Sequence, residues 1–448
     1  MRHADIPAFR PKARTVFTAV VLFLLLSPAL FSETVVDWGG FAAGRAELED
    51  LQTFNIEDTE LTAQGGLWLR TQFSDAFNIY GRGLYIYTDN RPYFGDLHNL
   101  YASGRFIIEG EEENGPPTLL GYRAGRFRFS DFTGYVLDHN LDGIRLSGEH
   151  SAFSWEMAFG YTGLTFIPSS SILVTYNDFQ VNRDSPDHGY ELAPPKSIET
   201  VKLTLNDIIF SQDIILNAVL QQDLQTGVSG VDHIHTIHSG IGVHGSIAPS
   251  IYQNTFFYYN LGRGEYPTSA ILFGGRLSYY NKDLYYTRVR LRGLYSSGDN
   301  EYQNHFFGGY SGSGTSNHFV SLSSSPGFGL VFSPEIGNIS LGELSCSVRP
   351  FSKTYIRSLE KLETSLTGLV FFRNTGGEIS EGGINQSSDE NYLGTELNLR
   401  FRFRPFSDLS LALSGGLFMP NNYSENSAFK ESLDSMQTSV RLDFSFNF

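Results

Sequence analysis

Over its last thirteen residues the chain alternates without a break. Met436, Thr438, Val440, Leu442, Phe444, Phe446 and Phe448 fall on one face of an extended strand, and all but Thr438 are apolar. Gln437, Ser439, Arg441, Asp443, Ser445 and Asn447 fall on the other. Successive side chains of a strand point to opposite faces, so this strand has one apolar and one polar side. The pattern returns upstream. Leu393, Thr395, Leu397, Leu399, Phe401 and Phe403 oppose Glu396, Asn398, Arg400, Arg402 and Arg404. Tyr285, Val289, Leu291 and Tyr295 oppose Arg288, Arg290 and Arg292; Leu61, Ala63, Leu67, Leu69 and Phe73 oppose Thr62, Gln64, Arg70 and Gln72. A packed soluble core does not accept guanidinium groups from so many strands, because an unpaired buried charge is costly. A closed barrel with lipid outside and water inside satisfies both faces at once.

The two ends fit an exported barrel. Arg2, Arg10, Lys12 and Arg14 precede an apolar run from Val16 to Leu26, and small residues follow at Ser27, Ala29 and Ser32. This is the layout of a secretory signal peptide, with cleavage expected after Ser32 or Ala29. The run is shorter than the roughly 20 residues a membrane helix needs. No comparable run follows, so a membrane location for the remainder requires strands. A terminal Phe448 with Phe446 and Phe444 before it resembles the assembly signal that outer-membrane barrels present to their insertion machinery. Removing residues 1–32 leaves 28 basic against 47 acidic residues, a balance of −19. Nucleic-acid binding is excluded by that balance, since phosphate neutralisation needs clustered external Lys and Arg. Cys346 is the only cysteine, so no intrachain disulfide braces the fold.

The expected fold class is all-β, a transmembrane antiparallel barrel over residues 33–448. Strands are predicted at 34–48, 60–73, 76–88, 98–109, 118–130, 141–149, 153–163, 197–206 and 211–222. They continue at 232–246, 250–262, 268–280, 284–296, 338–349, 354–373, 391–404, 408–418 and 435–448. That is about 18, an even number as bacterial barrels require. Tight connections at 74–75, 150–152, 247–249, 281–283 and 406–408 alternate with long ones near 49–59, 164–196, 297–324, 374–389 and 420–434. Short turns on one side and long loops on the other are the barrel layout. The stretch 297–337 has weak alternation. Its 317–333 segment is open to two readings, a further strand pair or a fold into the pore. Tyr85, Tyr87, Tyr279, Tyr285 and Phe403 lie near strand ends, where interface girdles form.

The Arg residues inside strands are the functional signal. Arg126, Arg128, Arg145, Arg288, Arg290, Arg292, Arg400 and Arg402 are expected to line the pore and favour anionic solutes. Arg keeps its charge at any physiological pH, and a charged passage with low-dielectric walls concentrates counter-ions. The opposing reading is that carboxylates such as Glu396 and Asp443 pair with these Arg and only brace the wall. Acidic clusters at 47–60 and 109–113 read as solvated loop ends. Asp138 to Glu149 fits the calcium-loop pattern D-x-N-x-D-G-x5-E, but both flanks read as strand, Arg145 replaces an apolar residue and Leu146 stands where an oxygen ligand is preferred. His233 and His235 share one strand face and His238 and His244 the other, so they do not converge on a metal. Gly308 to Ser316 lacks the Gly-Lys-Ser/Thr of a phosphate loop and the G-x-S-x-G of a hydrolase. No catalytic constellation, metal or cofactor is expected.

Gly125-Arg126-Phe127-Arg128, a loop, and Leu141-Asp142-Gly143-Ile144-Arg145-Leu146 resemble the alginate-export porin family, in which Gly-Arg leads to Asp-Gly-Val-Arg. Tyr295-Ser296-Ser297-Gly298-Asp299 resembles its later Ser-Gly-Asp loop entry. The resemblance covers about forty residues of the chain and departs at Ile144 and Phe127. It implies a porin with a basic lumen and leaves the solute open. The expected function is therefore a passive outer-membrane channel for small or polymeric, anionic solutes. Its partners would be membrane lipid, lipopolysaccharide-type or other outer-leaflet lipid, and the barrel-assembly machinery. The rival is a surface structural or adhesion barrel with a plugged lumen.

Overall fold

The computed structural model describes residues 34–49, 59–74, 76–89, 91–108, 117–183, 190–225, 233–302, 305–325, 327–355, 359–421, 427–429 and 436–448. The segment 1–32, expected to be a signal peptide, lies outside them, as do residues 50–58 and 109–113 of the expected acidic loop ends. Alternating residues build the strands β1 (Val35–Glu49), β2 (Thr59–Ser74), β3 (Phe77–Thr88), β4 (Arg91–Ile108), β5 (Thr118–Ser130) and β6 (Asp138–Glu149). They continue as β7 (Phe153–Tyr161), β8 (Lys196–Ile209), β9 (Gln212–Asp223), β10 (Ile234–Ala248), β11 (Ile251–Gly264) and β12 (Thr268–Asn281). The last six are β13 (Thr287–Ser296), β14 (Ile339–Val348), β15 (Glu363–Arg373), β16 (Tyr392–Phe403), β17 (Leu409–Pro420) and β18 (Gln437–Asn447). Each pairs antiparallel with its neighbours in sequence, and β1 pairs with β18 to close an 18-stranded barrel. Closure leaves no open sheet edge, the condition for strands to cross a bilayer.

The outer face is the apolar one. Leu67, Leu146, Phe159, Leu291, Leu399 and Phe444 are all exposed on it, and their in-strand neighbours turn inward. Such a continuous exposed apolar band suits hydrocarbon and not water. Tyr85, Tyr279 and Tyr285 stand exposed near strand ends, where a girdle is expected. Val35, Phe448 and the tight connections at 150–152, 247–250, 282–286 and 404–408 share one rim. There Ser250, Tyr285 and Tyr286 take left-handed backbone with φ of 67°, 51° and 55°, as tight connections between twisted strands favour.

Three differences from the sequence reading have local causes. β15 begins at Glu363 and not at 354, and β4 begins earlier, at Arg91. Leu393, expected outside with Leu397 and Leu399, is fully buried. Gly394 causes this: it takes φ +156°, the register slips there, and Leu393 becomes the extra residue of a bulge that reverses the alternation. A side chain at Gly394 would meet the Met419 carbonyl at 2.5 Å. Third, β6 begins at Asp138 and not at 141, so the calcium-like segment, whose flanks already read as strand, lies wholly within the ladder.

The interior is filled at the long-loop end. The 297–338 connection makes isolated bridges, Ile172 with Ser323 and Thr268 with Ser316, and no longer strand among its described residues. It folds inward. Phe319, Leu322, Phe328, Phe332 and Ile336 join inward residues of the wall, including Phe127, Phe371 and Phe418, in one apolar core. A barrel interior that a loop makes dry accepts apolar inward residues for the reason any core does.

At the closing seam the terminal residue is held in the ladder. Phe448 N donates to the Gly40 carbonyl at 3.0 Å and Gly40 N to the Phe448 carbonyl at 2.9 Å. One outward ring is worth at most about 3 kcal/mol by area, a small part of a barrel's stability. Deleting Phe448 should therefore lower outer-membrane levels severalfold while leaving purified barrel resistant to unfolding in unheated detergent gels. Normal outer-membrane levels of the deletion variant would remove Phe444, Phe446 and Phe448 from the assembly role.

Candidate functional site

Toward the tight-turn end the barrel interior holds cavities, and Arg side chains gather at one of them. Strand β13 presents Arg288, Arg290 and Arg292, β16 presents Arg400 and Arg402, and the seam adds Arg441 and Arg45. They border a cavity of about 530 Å³ with Glu343, Glu363 and Asp443. Seven guanidinium groups thus share the lining with three carboxylates. The pairs are specific. Arg45 Nε lies 2.9 Å from Asp443, Arg400 lies 3.9 Å from the same carboxylate, and Arg292 is in close contact with Glu343. Arg441 is held by Glu47, at 2.9 and 2.6 Å. The Nε groups of Arg290, Arg292 and Arg400 are buried without a hydrogen-bond partner among the described residues. Arg292 is spent on structure as well, donating to the Tyr135 hydroxyl at 3.2 Å and lying over Phe328.

The other three predicted Arg sit elsewhere. Arg145 faces inward on β6, 3.5 Å from Glu156 and over the Phe127 ring, at a second cavity of about 1110 Å³. Arg126 and Arg128 alternate with Phe127 and Phe129, whose rings occupy the packed interior, so both take the opposite face of β5. Arg126 is buried against Asp142 at 2.7 Å and donates to the Leu97 and Leu164 carbonyls. Arg128 is exposed and pairs closely with Asp138. The two halves of the alginate-export-like motif, Gly125-Arg126 and Asp142-Gly143, therefore meet as an ion pair across β5 and β6. The same pairs neutralise two carboxylates of the calcium-like pattern.

Of the carboxylates expected to brace the wall, Asp443 does so. Glu396 does something the sequence does not signal: it is fully buried and accepts the Leu330, Val331 and Phe332 amides at 2.5, 3.2 and 2.7 Å. It pins the inward loop. Two more anchors carry no sequence signal. Buried Arg373 donates to the carbonyls of Asn385, Ser388 and Glu390, holding the 374–391 connection. Buried Lys196 joins Asp178 at 3.1 Å and Asp223 at 3.2 Å. Asp178 belongs to the helix α1 (Tyr176–Arg183), and exchanges hydrogen bonds with Thr175 as a capping pair.

The histidines do not converge. His238 is buried against the Val320 carbonyl, His244 lies 3.2 Å from Asp213, and His233 and His235 sit beside Asp223. Among the described residues no group of three His, Cys, Asp or Glu could hold a metal. His318, outside the strands, is buried between Tyr302 and Phe306 with neither ring nitrogen hydrogen-bonded. Burial pushes its pKa down to about 3, and the Asp299 carboxylate opposes this only in part. The unfolded imidazole binds its proton near pH 6.5, so the folded state loses stability as pH falls from there toward 3. Protease protection of the 305–325 segment should decline over that window, and His318→Phe should flatten the decline. An equal decline in wild type and His318→Phe would assign it to other groups.

No family model and no curated protein matches the sequence. Solved structures do match its architecture. OccK11 (OpdR) of Pseudomonas aeruginosa superposes with a TM-score of 0.53 at 13% identity, over 92% of this chain and 96% of that one. OccK3 (OpdO) of the same organism gives 0.54 at 12%, over 95% and 99%. The P. aeruginosa outer membrane protein opdK gives 0.52 at 9%, over 92% and 98%. The chain has the fold of an outer-membrane porin. With its closed ladder and apolar outer belt, a barrel of this porin fold resides in the bacterial outer membrane. The porin fold does not carry over a solute, and in the alginate-export-like motif the Arg126–Asp142 half is a wall ion pair away from the Arg-bordered cavity.

Proposed function

We propose that the protein is a passive channel for small or polymeric anionic solutes, entered through the Arg-bordered cavity at the tight-turn end. The observation that carries this is the excess of seven guanidiniums over three carboxylates around the cavity. In a low-dielectric wall such an excess raises the local concentration of anions. Arg288, Arg290, Arg400 and Arg402 would meet the solute, and Arg292, Arg45 and Arg441 would hold the wall. Arg126 and Arg128 would brace β5. Assembly would proceed through the C-terminal strand, and outer-leaflet lipid would surround the long-loop rim. Planar-bilayer recording under a salt gradient tests the reading, and a cation-selective reversal potential would overturn it.

A second reading has its own support. The inward packing of 297–338 against the wall is what a structural barrel with a plugged lumen would need. That reading predicts no conductance from correctly folded protein under the same recording.

A further inference from the structure

The larger cavity, of about 1110 Å³, lies against the opposite wall and differs in chemistry from the Arg-bordered one. Four Arg residues along it, Arg70, Arg105, Arg123 and Arg145, are nearly matched by Asp37, Glu149 and Glu156. Charge therefore does not set what it would hold. Its distinguishing feature is a row of rings on the inward faces of adjacent strands. Trp68 on β2 is followed by Tyr80 on β3 with ring centres 6.3 Å apart, and Tyr80 by Tyr101 on β4 at 5.3 Å. The planes differ by only 22° and 30°. Trp68 lies along the wall because its strand partner is Gly39, where a Cβ would come within 2.8 Å of the indole. With Tyr80 almost parallel to it, the two form a tiled surface, and all three rings are half-buried and border the cavity. At the far end the Arg123 guanidinium covers Tyr101 at 4.5 Å.

We infer that this wall is a binding track for uncharged sugar rings. A pyranose presents an apolar C–H face, which flat aromatic rings cover, and a rim of hydroxyls that both donate and accept. The track supplies both kinds of partner beside the rings: Asp37 and Glu149 accept, Arg70 and Arg105 donate, and Gln72 and Asn78 do either. A simple anion would gain little from the rings and more from the opposite wall. A purely apolar solute would leave the polar rim desolvated without partners. The volume suits a short oligosaccharide.

The test uses full-length folded barrel in detergent, in which Trp38→Phe and Trp155→Phe leave Trp68 as the only tryptophan. Maltohexaose and cellohexaose are titrated against its fluorescence. At least one should give a saturable change. Tyr80→Ala should weaken that binding about tenfold, the worth of one good ring contact. Tyr80→Phe, which keeps the ring, should bind within about twofold of the parent and also serves if Tyr80→Ala fails to fold. Heat-modifiable migration on gels checks folding in each case. No saturable change with either sugar, or equal binding after Tyr80→Ala, overturns the track. Loss of binding in Tyr80→Phe overturns the stacking argument. The measurement needs no conduction, so its failure and that of the anion reading are told apart.

Discussion

In a planar bilayer with a salt gradient, the wild-type barrel should give a reversal potential of the sign set by anion flow, and the triple variant Arg288→Ser, Arg290→Ser, Arg292→Ser should move it toward zero. The three residues stand on one strand at the cavity where seven guanidiniums meet three carboxylates. Their removal leaves four against three, close to balance. A fall in the anion-to-cation permeability ratio of about threefold or more is expected, since focusing acts through the net charge of the wall. The wild-type ratio should itself shrink in strong salt, where the screening length drops to about 3 Å at 1 M. Folding should survive, because among the described residues Arg288 and Arg290 hold no close ion pair. Arg292 does, through Glu343, so Arg292→Ser alone should shift the potential least and the thermal midpoint most. A triple variant with the wild-type reversal potential would leave the ladder as bracing.

Lys196→Met should release the 162–195 connection from the barrel, with a loss of about 3–5 kcal/mol at that docking site. Lys196 is 1% exposed and neutralises two carboxylates that are equally buried, Asp178 from α1 and Asp223 at the end of β9. Without the ammonium they face each other uncompensated. Within the ladder the cluster involves only the outermost β8–β9 pair, Lys196 opposite Asp223. The expected result is new protease cleavage within 162–195 and a lower thermal midpoint, with the barrel still heat-modifiable on gels. Lys196→Met combined with Asp178→Asn and Asp223→Asn should recover part of the loss. Unchanged proteolysis and midpoint in Lys196→Met would mean that the helix is held by its apolar contacts.

The barrel is readable from sequence because lipid enforces period two on every strand. β18 and the lower halves of β13 and β16 follow the rule that charge faces inward. The rule inverts at the long-loop end, where the folded-in loop makes the inside dry and the rim makes the outside wet. Phe127 and Phe129 then turn in and Arg126 and Arg128 turn out, a reversal that alternation alone cannot reveal. Leu393 escapes the pattern because a bulge at Gly394 shifts parity by one residue. The anchors Glu396, Arg373 and Lys196 are invisible in the sequence for another reason. Glu396 and Arg373 look like ordinary polar residues in strands and bind loop backbone, while Lys196 looks like the end of a loop and pairs with a helix and a strand end brought near only by folding.

The seam between the first and last strands carries a charge code for the circumference of the molecule. Arg45 stands opposite Asp443, and Glu47 opposite Arg441. The smallest slip that keeps inward residues inward is two positions. Slipped one way, Arg45 would face Arg441; slipped the other, Glu47 would face Asp443. Like charges directly opposite on neighbouring strands repel. The stagger at closure, summed around the ring, is what fixes strand tilt and diameter for a given strand number. Four side chains at one joint thus select a single gauge for the whole tube.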